Sequence, residues 1–72
     1  MDAKTRAAIK EAKRLESAMI KYGLRLSRSA SIKYVDAVRV MKDQPDAVAK
    51  EVGASPEFVV MWTTMELRRK QR

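Results

Sequence analysis

The sequence predicts an all-α fold, a small bundle of about four helices in one domain over residues 1–72. Three observations predict it. Strong helix formers dominate, and Gly and Pro are absent before Gly23. Apolar residues recur every three or four positions, the period of one helix face. Pro45 and Pro56 each sit where a helix begins, and Gly53 lies between them where a helix ends.

Residues 3–26 read as a long basic helix. Ala8, Ala12, Leu15, Met19, Tyr22 and Leu26 step by 4, 3, 4, 3, 4, a single apolar stripe. Two roles fit it: packing on the rest of the domain, or a dimer seam. Ile9 and Ile20 widen the stripe, which favours a broad core contact. Gly23 either ends this helix or weakens it. Residues 27–31 read as a polar break, with Ser29 or Ser31 as a cap for the next helix.

Residues 32–43 carry Tyr34, Val35, Ala37, Val38 and Met41 at helical spacing. Their β-branched neighbours, and a loose alternation from Leu24 to Tyr34, leave a short strand open as a second reading. Pro45 starts a short helix to residue 52, with Asp46 near its positive end. Ser55-Pro56 starts the last helix, 56–70, which runs into the basic tail 67–72: Arg68, Arg69, Lys70 and Arg72. The expected core is Leu15, Met19, Val35, Val38, Val48, Ala49, Val52, Val59 and Trp62. Met41, Met61 and Met65 are also expected to pack, although Met61 and Met65, one turn apart, suit an adaptable contact surface.

Composition narrows the function. There is no Cys and no His. Thiolate and His chemistry is thus excluded, and with it nearly every zinc or redox-metal site. No Gly-rich phosphate loop and no acid pair in a cleft is recognisable, so the expectation is no enzyme, no cofactor and no metal. No apolar run is long enough to span a membrane. Residues 3–26 are Ala-rich where membrane-surface helices carry Trp, Phe and Leu, so no membrane partner is expected. Met1 opens the chain without a secretory leader, and a complete small cytoplasmic protein is expected. Sixteen Lys and Arg against nine Asp and Glu give +7, a surplus that suits a polyanion or an acidic protein. The few aromatics (Tyr22, Tyr34, Phe58 and Trp62) speak against single-strand binding by base stacking.

One segment carries a motif. Ala49 is a small residue inside a short helix, Gly53 follows four later, and Val59 lies six beyond the Gly. Val48, Val52, Ala54 and Trp62 supply apolar support. Ala49 allows close helix approach, Gly53 can take a positive φ, and Val59 with Trp62 lines the inner side of the second helix. Pro45 to Thr64 therefore resembles the helix-turn-helix of bacterial and phage DNA-binding regulators, over 20 of the 72 residues.

The resemblance implies that helix 56–70 enters the major groove of duplex DNA, with two copies as a homodimer on a palindrome. Its groove-facing positions are Ser55, Pro56, Glu57, Val60, Met61 and Thr64. None is Arg, Lys, Asn or Gln, the common base readers. Ser55 and Thr64 can hydrogen-bond, Glu57 can accept from a cytosine amine, and Val60 and Met61 can touch thymine methyls. Residues 43–66 hold one lysine against five carboxylates, net −4, whereas residues 3–42 hold eleven cations against three carboxylates, net +8. Phosphate contact accordingly falls to Arg25, Arg28 and Lys33 and to Arg68, Arg69 and Lys70.

Two functions are expected from different classes. One is a small cytoplasmic DNA-binding regulator of phage or mobile-element kind, acting in transcription or recombination. The other is a protein-interaction module in which the acidic and apolar last helix holds a partner through Phe58, Val60 and Met61.

Overall fold

A computed structural model describes residues 2–70; Arg72 of the basic tail lies outside them. The architecture is an all-α bundle of four helices: α1 (Ala3–Ala30), α2 (Tyr34–Asp43), α3 (Pro45–Val52) and α4 (Pro56–Lys70). No strand occurs among the described residues, so the alternation from Leu24 to Tyr34 is not a strand.

The α1 helix starts at Asp2, whose carboxylate accepts the Thr5 N–H at 2.7 Å and is held below the usual carboxylate range by that bond. It runs four residues past the predicted end, straight through Gly23. The polar stretch at 27–30 is its last turn and not a break. Termination comes at Ser31, in the left-handed region at φ 56°, while the Ile32 N–H bonds the Ser27 carbonyl at 3.0 Å. The Ser27 hydroxyl donates in return to the Ile32 carbonyl. Neither Ser29 nor Ser31 caps α2: its N-cap is Lys33, with no side-chain bond.

Only Gln44 separates α2 from α3, since Pro45 sets the first turn of α3 and turns the preceding residue away from helix. At the far end of α3, Gly53 takes φ 77° and ψ 38°. Its N–H and that of Ala54 both bond the Ala49 carbonyl, at 2.9 and 3.0 Å. Ser55 then caps α4 as expected, its hydroxyl oxygen accepting the Phe58 N–H at 3.2 Å.

The core gathers Met19 of α1, Met41 of α2, Val48, Ala49 and Val52 of α3, and Val59 of α4. Ala37 and Val38 of α2 are also fully buried. Leu15, Val35 and Trp62, expected inside, are only half-buried. Met41 is inside as expected, and Ala37, absent from the expected core, joins it because α2 turns that side of its apolar stripe inward. Met61 and Met65, expected to pack, are exposed. The α1 stripe divides: Met19 is buried, and Tyr22 and Leu26 pack against the core. Ala8 and Ala12 stand in solvent, because residues 3–14 project beyond the other helices. At about 1.5 Å per residue that projection is about 18 Å long.

One contact joins α1, α2 and α4. The Tyr34 ring lies on Gly23, where a Cβ would stand 2.9 Å from Tyr34 Cε1 and 3.4 Å from Met41 Sδ. The Tyr34 hydroxyl donates to Glu66 Oε2 at 2.8 Å. The buried Glu66 accepts on its other oxygen from Arg69 Nε and Nη2, at 2.9 and 2.7 Å. Lys70 Nζ lies over the same ring, 5.7 Å from its centre. Burial first, then the bond to Glu66 and its charge, raises the Tyr34 hydroxyl above its ordinary 10.0.

Gly23→Ala gains about 1 kcal/mol of helix propensity. The overpacking it forces costs about 1–3 kcal/mol, because Tyr34 is anchored at its far end and cannot swing aside. A net loss on the order of 1 kcal/mol is expected in urea unfolding; a gain would contradict the packing described. Tyr34→Phe leaves Glu66 Oε2 without its donor and should lower stability by about 1–3 kcal/mol. It should also change the alkaline response. A raised phenol contributes stability that is complete below pH 10.0 and lost progressively above it. Urea midpoints should therefore fall more steeply above that pH in the parent protein than in Tyr34→Phe, and parallel curves would contradict the assignment.

Candidate nucleic-acid interface

The α4 helix divides by burial along its length. Val59, Thr63 and Glu66 face inward, while Glu57, Val60, Met61, Met65 and Arg68 are exposed. The groove-facing set from the sequence thus lies largely on the outer side: Ser55, Glu57, Val60 and Met61 are exposed, and Pro56 and Thr64 are half-buried. An open hollow on this side is lined by Pro56, Glu57, Val60 and Met61. Of the structural set of the motif, Ala49 and Val59 are buried and Trp62 packs against the core cluster, whereas Gly53 is exposed at the turn.

The polar groups of this face have little to offer a base. The Ser55 oxygen is engaged by the Phe58 N–H, which leaves its O–H as a donor. The Thr64 hydroxyl donates back to the Val60 carbonyl at 2.7 Å, which leaves its oxygen as an acceptor. Glu57 sits in the first turn, where the helix dipole favours it. The face is otherwise methyl and thioether surface.

The cations named from the sequence fall into two groups. Arg28, Lys33 and Arg68 are exposed, and Arg25 is exposed with its guanidinium 5.7 Å from the centre of the Tyr22 ring. Arg69 and Lys70 are engaged within the fold, on Glu66 and over Tyr34. Both remain exposed, so their charge still contributes to the local field.

The structure puts Lys10, Arg14 and Lys21, which are outside the phosphate set read from the sequence, in line with Arg25 and Arg28. Lys10, Arg14, Lys21, Arg25 and Arg28 are spaced by 4, 7, 4 and 3, one face of α1, and all are exposed. That face points away from Met19 and Gly23, the buried side of α1. The α1 carboxylates lie off this line, although Glu11 pairs with Arg14 from beside it, 3.0 Å from Nε. The signal was present as i, i+3 and i+4 spacing, but in the charged residues rather than the apolar ones. At its C-terminal end the stripe borders α3: Lys21, Leu24, Arg25 and Arg28 share a shallow groove with Glu51 and Val52. Cations of α1 therefore stand beside the end of α3 from which the Gly53 turn leads into α4.

Among the described residues, no group of three or more His, Cys, Asp or Glu could hold a metal ion, and no helix is long and apolar enough to cross a membrane. Comparison with family models, curated proteins and solved structures gave no match to the chain.

The turn makes a separable demand on Gly53. A Cβ there would meet nothing within 4 Å, so only the positive φ resists substitution. Gly53→Val should cost about 1–3 kcal/mol, and Gly53→Asn, which tolerates the left-handed region, clearly less. Equal losses in thermal or urea unfolding would contradict a backbone origin.

Proposed function

We propose that the protein binds duplex DNA as a small regulator, presenting the outer side of α4 to the major groove. The observation that carries this reading is the α3–Gly53–α4 unit. Two short helices meet at a left-handed glycine, and the side of α4 opposite the core stands free with Glu57, Val60 and Met61 on it. A major groove about 12 Å wide admits such a helix.

The division of labour follows from chemistry. Val60 and Met61 suit thymine methyls, Glu57 suits a cytosine amine, and the Ser55 hydroxyl can donate to a base or a phosphate. Affinity would come from elsewhere, because residues 43–66 carry net −4 and repel phosphate. Lys21, Arg25 and Arg28 beside the α3 end, with Lys33 and Arg68 exposed, are the phosphate contacts this arrangement favours. Two copies on a two-fold site would set their α4 helices about 34 Å apart. Regulation of transcription or of a recombination event by a phage or mobile element is the role that suits such a module.

A second reading, a protein-interaction module, is favoured by the exposure of Val60, Met61 and Met65 on α4. Phe58 is the weaker anchor in it, being packed against the core.

Each phosphate contact contributes about 0.9 to the slope of log affinity against log salt. Arg25→Ala with Arg28→Ala is therefore expected to lower that slope by about 2 on any duplex and to weaken all sequences alike. Titrations at several salt concentrations check it. An unchanged slope would remove these residues from the interface, and a loss confined to one sequence would make them base readers.

A further inference from the structure

The exposed side of α4 has a symmetry of its own. Glu57, Met61, Thr64 and Arg68 step by 4, 3 and 4, which puts them on one line along the helix, opposite the buried Val59, Thr63 and Glu66. Val60 and Met65 flank this line on its two sides, and the apolar members are widely exposed: Val60 41%, Met61 50% and Met65 61%. Read from either end the order is a charge, an apolar middle and the opposite charge. We infer that α4 pairs antiparallel with α4 of a second copy of this chain, about a two-fold axis between Met61 and Thr64.

The register is set by the charges. With the axis midway between Met61 and Thr64, Met61 of each copy lies opposite Thr64 of the other. The same operation brings Glu57 of each copy opposite Arg68 of the other, twice in the dimer. Val60 and Met65 then close the two sides of the seam against their own counterparts. Spacings of 4, 3 and 4 are those of a helix–helix seam, and a two-fold contact requires this kind of self-complementary surface. A parallel pair would instead set Glu57 on Glu57 and Arg68 on Arg68. No residue of the line is used elsewhere in the fold except Thr64, whose hydroxyl bonds the Val60 carbonyl and so enters the seam already satisfied.

The contact is a single pair of helix faces, well below the ~1,600 Å² of a standard interface, so the dimer is weak and concentration-dependent. Paired helices lie about 8–10 Å apart, far less than the ~34 Å between half-sites on DNA. The pair is therefore a form of the protein off DNA. In the DNA-binding reading it covers the face that would enter the groove, so self-association and duplex binding compete. The pairing itself does not depend on that reading and is measured without nucleic acid.

Sedimentation equilibrium of the full chain, at low salt and over a wide concentration range, tests it. The parent chain should associate to a dimer and no further. Glu57→Arg and Arg68→Glu should each weaken association by at least about tenfold, because each creates two like-charge contacts. The double exchange, Glu57→Arg with Arg68→Glu, should restore it to within about threefold of the parent, since every contact is again between opposite charges. Met65→Glu, in a flank of the seam, should weaken association whatever residue 57 does. A parent chain that stays monomeric at ~1 mM would overturn the proposal, as would single exchanges without effect. A double exchange as weak as the singles would overturn the antiparallel register. Loss of DNA binding alongside an intact dimer would count against the DNA reading and leave this one standing.

Discussion

The Tyr34 ring against Gly23 is the contact on which the arrangement of the other helices depends. It lets α2 lie close to α1, and it aims the Tyr34 hydroxyl at Glu66, 32 residues further along the chain. A carboxylate as buried as Glu66, 6% exposed, is tolerated only when its oxygens are satisfied, and it has Tyr34 on one and Arg69 on the other. Three helices are thus fixed by one aromatic ring, one absent side chain and one buried charge. The α3 helix is held differently, through Val48, Ala49 and Val52 in the shared core.

Fixing α4 from one side leaves its other side free, and that produces the candidate site. Thr63 and Glu66 spend their polar atoms inside the fold, and no buried side-chain polar atom among the described residues lacks a partner. What remains outside on α4 is an apolar middle between Glu57 and Arg68. What remains outside on α1 is a stripe of cations that ends beside α3. The two surfaces have opposite chemical characters, and the proposed functions divide between them: phosphate attraction by α1, contact with bases or a second copy by α4.

Much of this was legible in the residues. Pro45, Gly53 and the Ser55-Pro56 pair placed both ends of α3 and the start of α4, because each acts through its own backbone or a bond to the next turn. Met19, Val38, Val48, Ala49, Val52 and Val59 followed from helical spacing. Gly23 was ambiguous: a glycine inside a helix weakens or ends it, and only the Tyr34 ring, eleven residues on, shows why this position carries no side chain. Ser29 and Ser31 looked like caps, but the local alternative, a longer α1 locked by Ser27 to Ile32, prevails. Glu66 gave no sign of burial, since its partners depend on the tertiary fold. Ala8 and Ala12 matched the stripe of Met19, yet no other helix reaches that far along α1. The outer face of α4 could be located from the motif, but its polar groups could be assessed only once the Ser55 and Thr64 bonds were visible.

The central claim is that α4 reads duplex DNA while α1 supplies attraction. Its most direct test is a selection of randomised duplex DNA on the purified protein, sequenced at low and at near-physiological salt. A reading helix should enrich a defined site that survives the higher salt, with thymine or cytosine at the positions facing Val60, Met61 and Glu57. Binding that enriches no sequence and disappears as salt rises would contradict it, leaving α1 as a general electrostatic surface and α4 as a face for protein alone.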